Sequence, residues 1–165
     1  MNRRAAIGTI AGLALGPAAA EAAAAPGAPA AHRFTRATIH HTVTPADRPA
    51  DRVRAIDAYH RSLGWDGIGY HVLVGADGSL WFGRPLDRDG AHVRGENAGN
   101  LGLAFIGDFS SGRPAEAALQ TARAFLALAQ AAYGFGPEAV FFHKELARTA
   151  CPGDWDKRLL VGGES

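Results

Sequence analysis

Three side chains in this 165-residue sequence could share one metal ion: His40, His143 and Cys151. Zinc takes imidazole and thiolate readily, and a catalytic zinc site keeps three protein ligands with one position open. His40 follows the short β-prone run Thr38-Ile39, and His143 follows Ala139-Val140-Phe141-Phe142, so both could project from one sheet edge. Cys151 lies eight residues beyond His143, in Arg148-Thr149-Ala150-Cys151-Pro152-Gly153, a loop able to fold back toward the histidines. Spacing alone leaves other readings open. Cys151 is the only cysteine, so an intramolecular disulfide is excluded, and a buried spectator, a reactive thiol and a metal ligand all remain. As a nucleophile paired with histidine it fits poorly. Pro152 follows it directly, whereas activated thiols often sit at helix N-termini whose N–H groups lower their pKa.

The elements that must position these residues alternate along the chain. Asp47 reads as the N-cap of a helix reaching about Leu63, with Val53, Ile56, His60 and Leu63 on one face and Gly64 as its stop. His60 on that apolar face reads as a partly buried structural histidine. Tyr70 to Val74 reads as a strand, Ala76-Asp77-Gly78 as a turn and Leu80-Trp81-Phe82 as the returning strand. Residues 83–99 are rich in glycine and charge and read as loop. Leu101 to Ile106 is almost continuously apolar, the pattern of a strand buried on both faces. A long helix is predicted from Pro114 to Tyr133, with Leu119, Ala122, Leu126, Ala129 and Tyr133 along its stripe and Gly134 ending it. A short helix is predicted from Asp154 to Leu160. Interleaved strands and helices without an internal repeat predict one α/β domain, a central mixed sheet flanked by helices.

The first residues read as an address. Arg3-Arg4, a short apolar run to Leu15, Pro17 and small residues to Ala24 have the layout of a signal peptide, too short to span a bilayer as an ordinary helix. The arginine pair resembles a twin-arginine signal with an incomplete consensus, so twin-arginine and ordinary export both stay open. Three segments are expected: a signal peptide over 1–24, a flexible linker over 25–33 and one domain over 34–165. The location expected is periplasmic or secreted, with no stable membrane anchor after processing. With 17 basic and 16 acidic residues the net charge is +1, and the clustered basic face that nucleic acid requires is not indicated.

Four separated stretches, in order, resemble a known family: Ile39-His40-His41-Thr42; Gly64-Trp65-Asp66-Gly67-Ile68-Gly69-Tyr70-His71; Gly90-Ala91-His92 with Gly95 and Asn97; and His143 with Thr149-Ala150-Cys151-Pro152-Gly153. The family is the N-acetylmuramoyl-L-alanine amidases, shared by peptidoglycan recognition proteins and phage amidase endolysins, and the resemblance spans roughly residues 36–155. It implies a mixed sheet with helices packed on it and a Zn2+ ion at one end of a substrate cleft. It also implies hydrolysis of the amide joining N-acetylmuramic acid to L-alanine, with peptidoglycan or muropeptides as partner. Carried over position by position, it makes His40, His143 and Cys151 the zinc ligands. Adjacent strand residues face opposite sides, so His41 is expected to support the site rather than bind metal.

Tyr70 matches the family's catalytic tyrosine, able to donate its phenolic hydrogen to a developing oxyanion. Thr149 stands where phage enzymes carry lysine and many amidase-active recognition proteins carry threonine, which removes the positive charge. His92 and Asn97 match groove-lining positions. Arg94 and Arg84 could hold stem-peptide carboxylates. Trp65 and Trp81 read as core or groove-wall aromatics, and Glu145 as a solvated surface carboxylate. A peptidoglycan-binding protein without catalysis is the alternative; it would tolerate loss of Cys151 or Tyr70, and both are present. A monomer is expected. The few residues after Cys151 leave no expectation of a separate wall-binding domain.

Overall fold

The computed structural model describes residues 33–162; the signal peptide expected at 1–24 and the linker expected after it lie outside the described residues, apart from Arg33. Five strands, β1 (Arg36–His41), β2 (Val72–Val74), β3 (Leu80–Phe82), β4 (Asn100–Phe105) and β5 (Val140–Phe142), form one sheet. Their order is β3-β2-β4-β1-β5. β1 runs parallel to both β4 and β5, and β2 runs parallel to β4 but antiparallel to β3. The sheet is therefore mixed, as expected, with the single antiparallel pair made by the predicted hairpin.

β4 is buried along its whole length, consistent with its unbroken apolar run and its position between two parallel neighbours. Alternation divides β1 between two environments. Ala37 and Ile39 join Val72, Val74, Leu101, Leu103 and Phe105 in the main core, beneath the long helix α2 (Glu116–Tyr133). The other face is more thinly covered: Leu73 and Ala104 pack with Ile106, Ile56 and Ile68 near helix α1 (Pro49–Ser62). Arg36, Thr38 and His40 are the β1 residues of alternate parity to the main core, and of these Thr38 and His40 are buried.

The helix ends have local causes. Gly134 caps α2 at φ 77°, a left-handed turn open to glycine, and its N–H donates to the Gln130 carbonyl at 2.8 Å. α1 begins one residue later than expected. Arg48 occupies the capping position and Pro49 the first helical one, where its missing N–H costs nothing, while Asp47 accepts from Arg52 Nη2 at 2.6 Å. Ile56 and His60 of the predicted face are buried, and Leu63 is exposed. The last helix is shorter than expected, α4 over Arg158–Val161, with Asp156 accepting the Arg158 N–H at 2.9 Å. One turn of helix, α3 (His143–Leu146), follows β5 without a sequence forecast. Glu145, read as a solvated carboxylate, accepts the Phe142 N–H at the start of α3 and pairs with Lys157 at 2.8 Å. Among the described residues no helix is long and apolar enough to cross a membrane.

Candidate metal centre

Strand pairing brings the first two candidate ligands together. Ile39 of β1 is paired with Phe142 of β5, so His40 and His143 each stand one residue beyond that pair. Their ring centroids are 4.6 Å apart. The loop after α3 then returns Cys151 to the same place. The Lys144 N–H donates to the Cys151 carbonyl at 2.8 Å, and Lys144 Nζ donates to the Gly153 carbonyl at 2.7 Å. Gly153 is required for the close approach: its φ is 102°, and a Cβ there would lie 1.8 Å from the Phe109 carbonyl oxygen. The Cys151 sulfur also accepts the His41 backbone N–H at 3.3 Å, which favours a thiolate. The His41 ring faces away from this trio, where its Nδ1 accepts the Phe109 N–H at 3.1 Å.

The donor atoms of His40, His143 and Cys151 all lie within 4.8 Å of one another. Tetrahedral zinc, with bonds of about 2.0–2.1 Å to nitrogen and 2.3 Å to sulfur, separates such ligands by about 3.6 Å. Cys151 Sγ and His40 Nδ1 stand 3.8 Å apart, so the donor set and its spacing fit that ion. Burial, helped by the neighbouring imidazoles, holds His40 well below the usual histidine pKa, and burial also lowers His143. Both are thus neutral at pH 7, the form that binds metal. Burial pushes the Cys151 thiol up to about 11 in the protein without metal. That is opposite to the depressed pKa of a cysteine nucleophile; a bound cation would remove the proton directly.

Tyr70 stands beside the trio, its ring 5.1 Å from that of His40. Burial and the nearby sulfur raise its pKa to about 12, so the hydroxyl keeps its proton. The preceding backbone is tightly held. The Gly69 N–H donates to His60 Nδ1 at 3.1 Å, and a Cβ on Gly69 would lie 2.2 Å from the Ala91 carbonyl oxygen. His60 is therefore the structural histidine expected. Fully buried His71 accepts the Gly102 N–H on Nδ1 at 2.9 Å, tying this segment to β4.

His92, Arg94 and Asn97 line one groove of about 480 Å³ together with His143, Trp65 and Ala147. Within it, His92 offers carbon surface, because both ring nitrogens are engaged inside the protein, with His40 and with the Asn100 carbonyl, each at 3.0 Å. Asn97 Oδ1 accepts the N–H groups of His92 and Val93, each at 2.9 Å, and so pins the loop. Arg94 is exposed and has no ion-pair partner among the described residues. A second depression, of about 370 Å³, reaches Tyr70 from Thr42, Ile56 and Tyr59. Thr149 lines neither; it is exposed, its Oγ1 accepts the Cys151 N–H at 3.2 Å, and it borders a shallow depression with Ser110 and Lys144. Arg84 lies in another depression, where its guanidinium donates to the Ile68 carbonyl at 3.2 Å and to Asp66 at 2.9 Å. Trp65 packs on His60 at 4.7 Å, while Trp81 donates its N–H to Ser79 Oγ at 2.9 Å and joins the smaller core. Sequence reasoning gave no supporting role to Asn100, His71 or Lys144; His71 lies inside a motif stretch, and Asn100 and Lys144 offered only proximity to one.

The sequence pattern of the N-acetylmuramoyl-L-alanine amidase family (Amidase_2) matches residues 30–154. The chain belongs to this family. It is 38% identical over 125 residues to the human N-acetylmuramoyl-L-alanine amidase, an alignment covering 70% of this chain and 22% of the human protein. The chain spans between about a fifth and a quarter of the length of the human, pig and mouse amidases that it matches. Among solved structures it resembles the amidase LysC from Clostridium intestinale, with a TM-score of 0.66 and 30% identity, covering 76% of this chain and 82% of that one. It also resembles bumblebee PGRP-SA, with a TM-score of 0.71 and 30% identity, covering 78% and 81%. The family thus unites amidases with peptidoglycan recognition proteins on this fold.

Proposed function

We propose that this protein is a zinc-dependent N-acetylmuramoyl-L-alanine amidase, exported to the periplasm or beyond, that hydrolyses the bond between N-acetylmuramic acid and L-alanine in peptidoglycan. The observation that carries the reading is the convergence of two neutral imidazoles and one sulfur within 4.8 Å, beside a protonated Tyr70. His40, His143 and Cys151 would hold the zinc, which when bound would supply Lewis acidity to activate water and polarise an amide carbonyl.

The remaining groups bind and orient. Tyr70 directs its O–H toward the oxygen that gains charge as the lactyl carbonyl becomes tetrahedral; a preformed donor of this kind acts chiefly in the transition state. Thr149 uses its oxygen to accept the Cys151 N–H and keeps its hydroxyl proton for donation. Arg94 at the groove rim is the cation assigned to a stem-peptide carboxylate, and the carbon surfaces of His92 and Trp65 supply apolar walls.

The deciding experiment joins metal analysis to mass spectrometry of digested peptidoglycan. One zinc per chain and free stem peptides beginning at L-alanine, with intact glycan, are the expected result. Binding of muropeptide without cleavage would instead make the chain a recognition module. Full turnover in metal-free protein would overturn the zinc mechanism.

A further inference from the structure

His92 sits between a metal ligand and the sheet, and its surroundings hold it in one orientation. A Cβ on Gly90 would lie 2.3 Å from the His92 ring, and one on Gly102 would lie 2.6 Å from it. Any side chain at either position would occupy the space the ring now fills. The His92 and Val93 N–H groups are held by Asn97, as described above, so backbone and ring are both fixed. Asn100, whose carbonyl faces the ring, is itself fixed: Thr38 Oγ1 donates to its Oδ1 at 2.9 Å, and its Nδ2 donates to the Glu96 carbonyl at 2.8 Å.

The proton positions follow from what each group can do. A peptide carbonyl only accepts, so His92 Nε2, 3.0 Å from the Asn100 oxygen, carries a hydrogen. A neutral imidazole protonated at Nε2 has its lone pair at Nδ1. That lone pair faces His40 Nε2 at 3.0 Å, which must therefore be the donor. His40 is then protonated at Nε2 and keeps its lone pair at Nδ1, the atom 3.8 Å from the Cys151 sulfur. The hydrogen bond made by one ring nitrogen selects the metal-binding role of the other.

We propose that His92 is a positioning residue: by accepting the His40 Nε2–H and anchoring to the Asn100 carbonyl, it fixes His40 in the tautomer that presents Nδ1 to the metal. The inference rests on the zinc reading above, but the relay exists in the metal-free protein and can be tested there. It also accounts for a groove-wall histidine whose two ring nitrogens are both engaged inside the protein. Supports of this kind are worth roughly 10–100-fold in metal affinity.

Long-range ¹H–¹⁵N correlation spectra of the histidine rings in metal-free protein at pH 7.5 should show both His40 and His92 protonated at Nε2. A His40 ring protonated at Nδ1 would overturn the proposal. Zinc affinity, measured by competition with a chelating dye, should fall about 10–100-fold in His92→Leu. His92→Asn, which keeps an acceptor near the position of Nδ1, should recover most of that loss. Wild-type affinity in a folded His92→Leu, or equal losses in both folded variants, would also overturn it. If His92→Leu fails to fold, the wild-type ring spectra decide alone. A wild-type protein that binds no zinc defeats the amidase reading instead, and the same spectra still judge the relay.

Discussion

Replacing Tyr70 by phenylalanine removes one hydroxyl and keeps the ring. The hydroxyl makes no hydrogen bond among the described residues, while the ring packs 5.1 Å from His40 and 5.7 Å from His60. Folding therefore loses no polar partner, and stability should change by less than about 0.5 kcal/mol, or roughly 2 °C in Tm for a domain of this size. Turnover should respond very differently. Loss of one preorganised oxyanion donor costs about 10²–10³ in kcat, or about 2.7–4 kcal/mol. With a pKa of about 12 the phenol stays protonated through the working range, so its loss should lower the pH–rate profile without moving its limbs below about pH 11. The assay is release of stem peptide from purified muropeptide, with thermal unfolding and bound zinc measured on the same preparations. Turnover within twofold of wild type would refute the role given to Tyr70. A loss of zinc or a large fall in Tm that accounts for the lost turnover would make the residue structural.

His40→Ala and His143→Ala should each abolish stoichiometric zinc and amidase activity, read by elemental analysis and peptide release, because two remaining ligands hold zinc poorly. In zinc-free protein at pH 7.5, a Cys151 thiol raised to about 11 leaves only about one part in 3,000 as thiolate, so iodoacetamide should label it about 100-fold more slowly than an ordinary cysteine. The labelling rate should climb about tenfold per pH unit until pH approaches 11, since the reactive form is the deprotonated one; rapid labelling of active, zinc-loaded enzyme would point to a nucleophile. Protein recovered from its native host should begin between about Ala19 and Ala31, read by N-terminal mass spectrometry, whereas an intact Met1 in the cytoplasmic fraction would reject the export signal.

Local pattern carried far in this chain wherever a residue's role depends on its near neighbours. The stripe of Leu119, Ala122, Leu126 and Ala129 with Gly134 behind it was enough to place α2, and Ala76-Asp77-Gly78 was enough to place the hairpin. The motif stretches also named the trio His40, His143 and Cys151 that the fold brings within 4.8 Å. What the linear order did not contain was which strands pair, and the meeting of His40 with His143 depends on β5 lying beside β1 rather than on any local signal. The same holds for polar atoms whose partners are distant in sequence. His92 and Asn97 line the groove, yet only the fold shows that their polar atoms are engaged inside the protein, and that the Arg84 guanidinium is held by Asp66 and the Ile68 carbonyl. Sequence by itself determined the residue types and the local conformations, because propensity and periodicity act over a few residues. Tertiary structure alone decided that Nδ1 of His40 faces Cys151 while Nε2 meets His92, because that depends on a ring 52 residues away, seated between two glycines and held by a strand carbonyl.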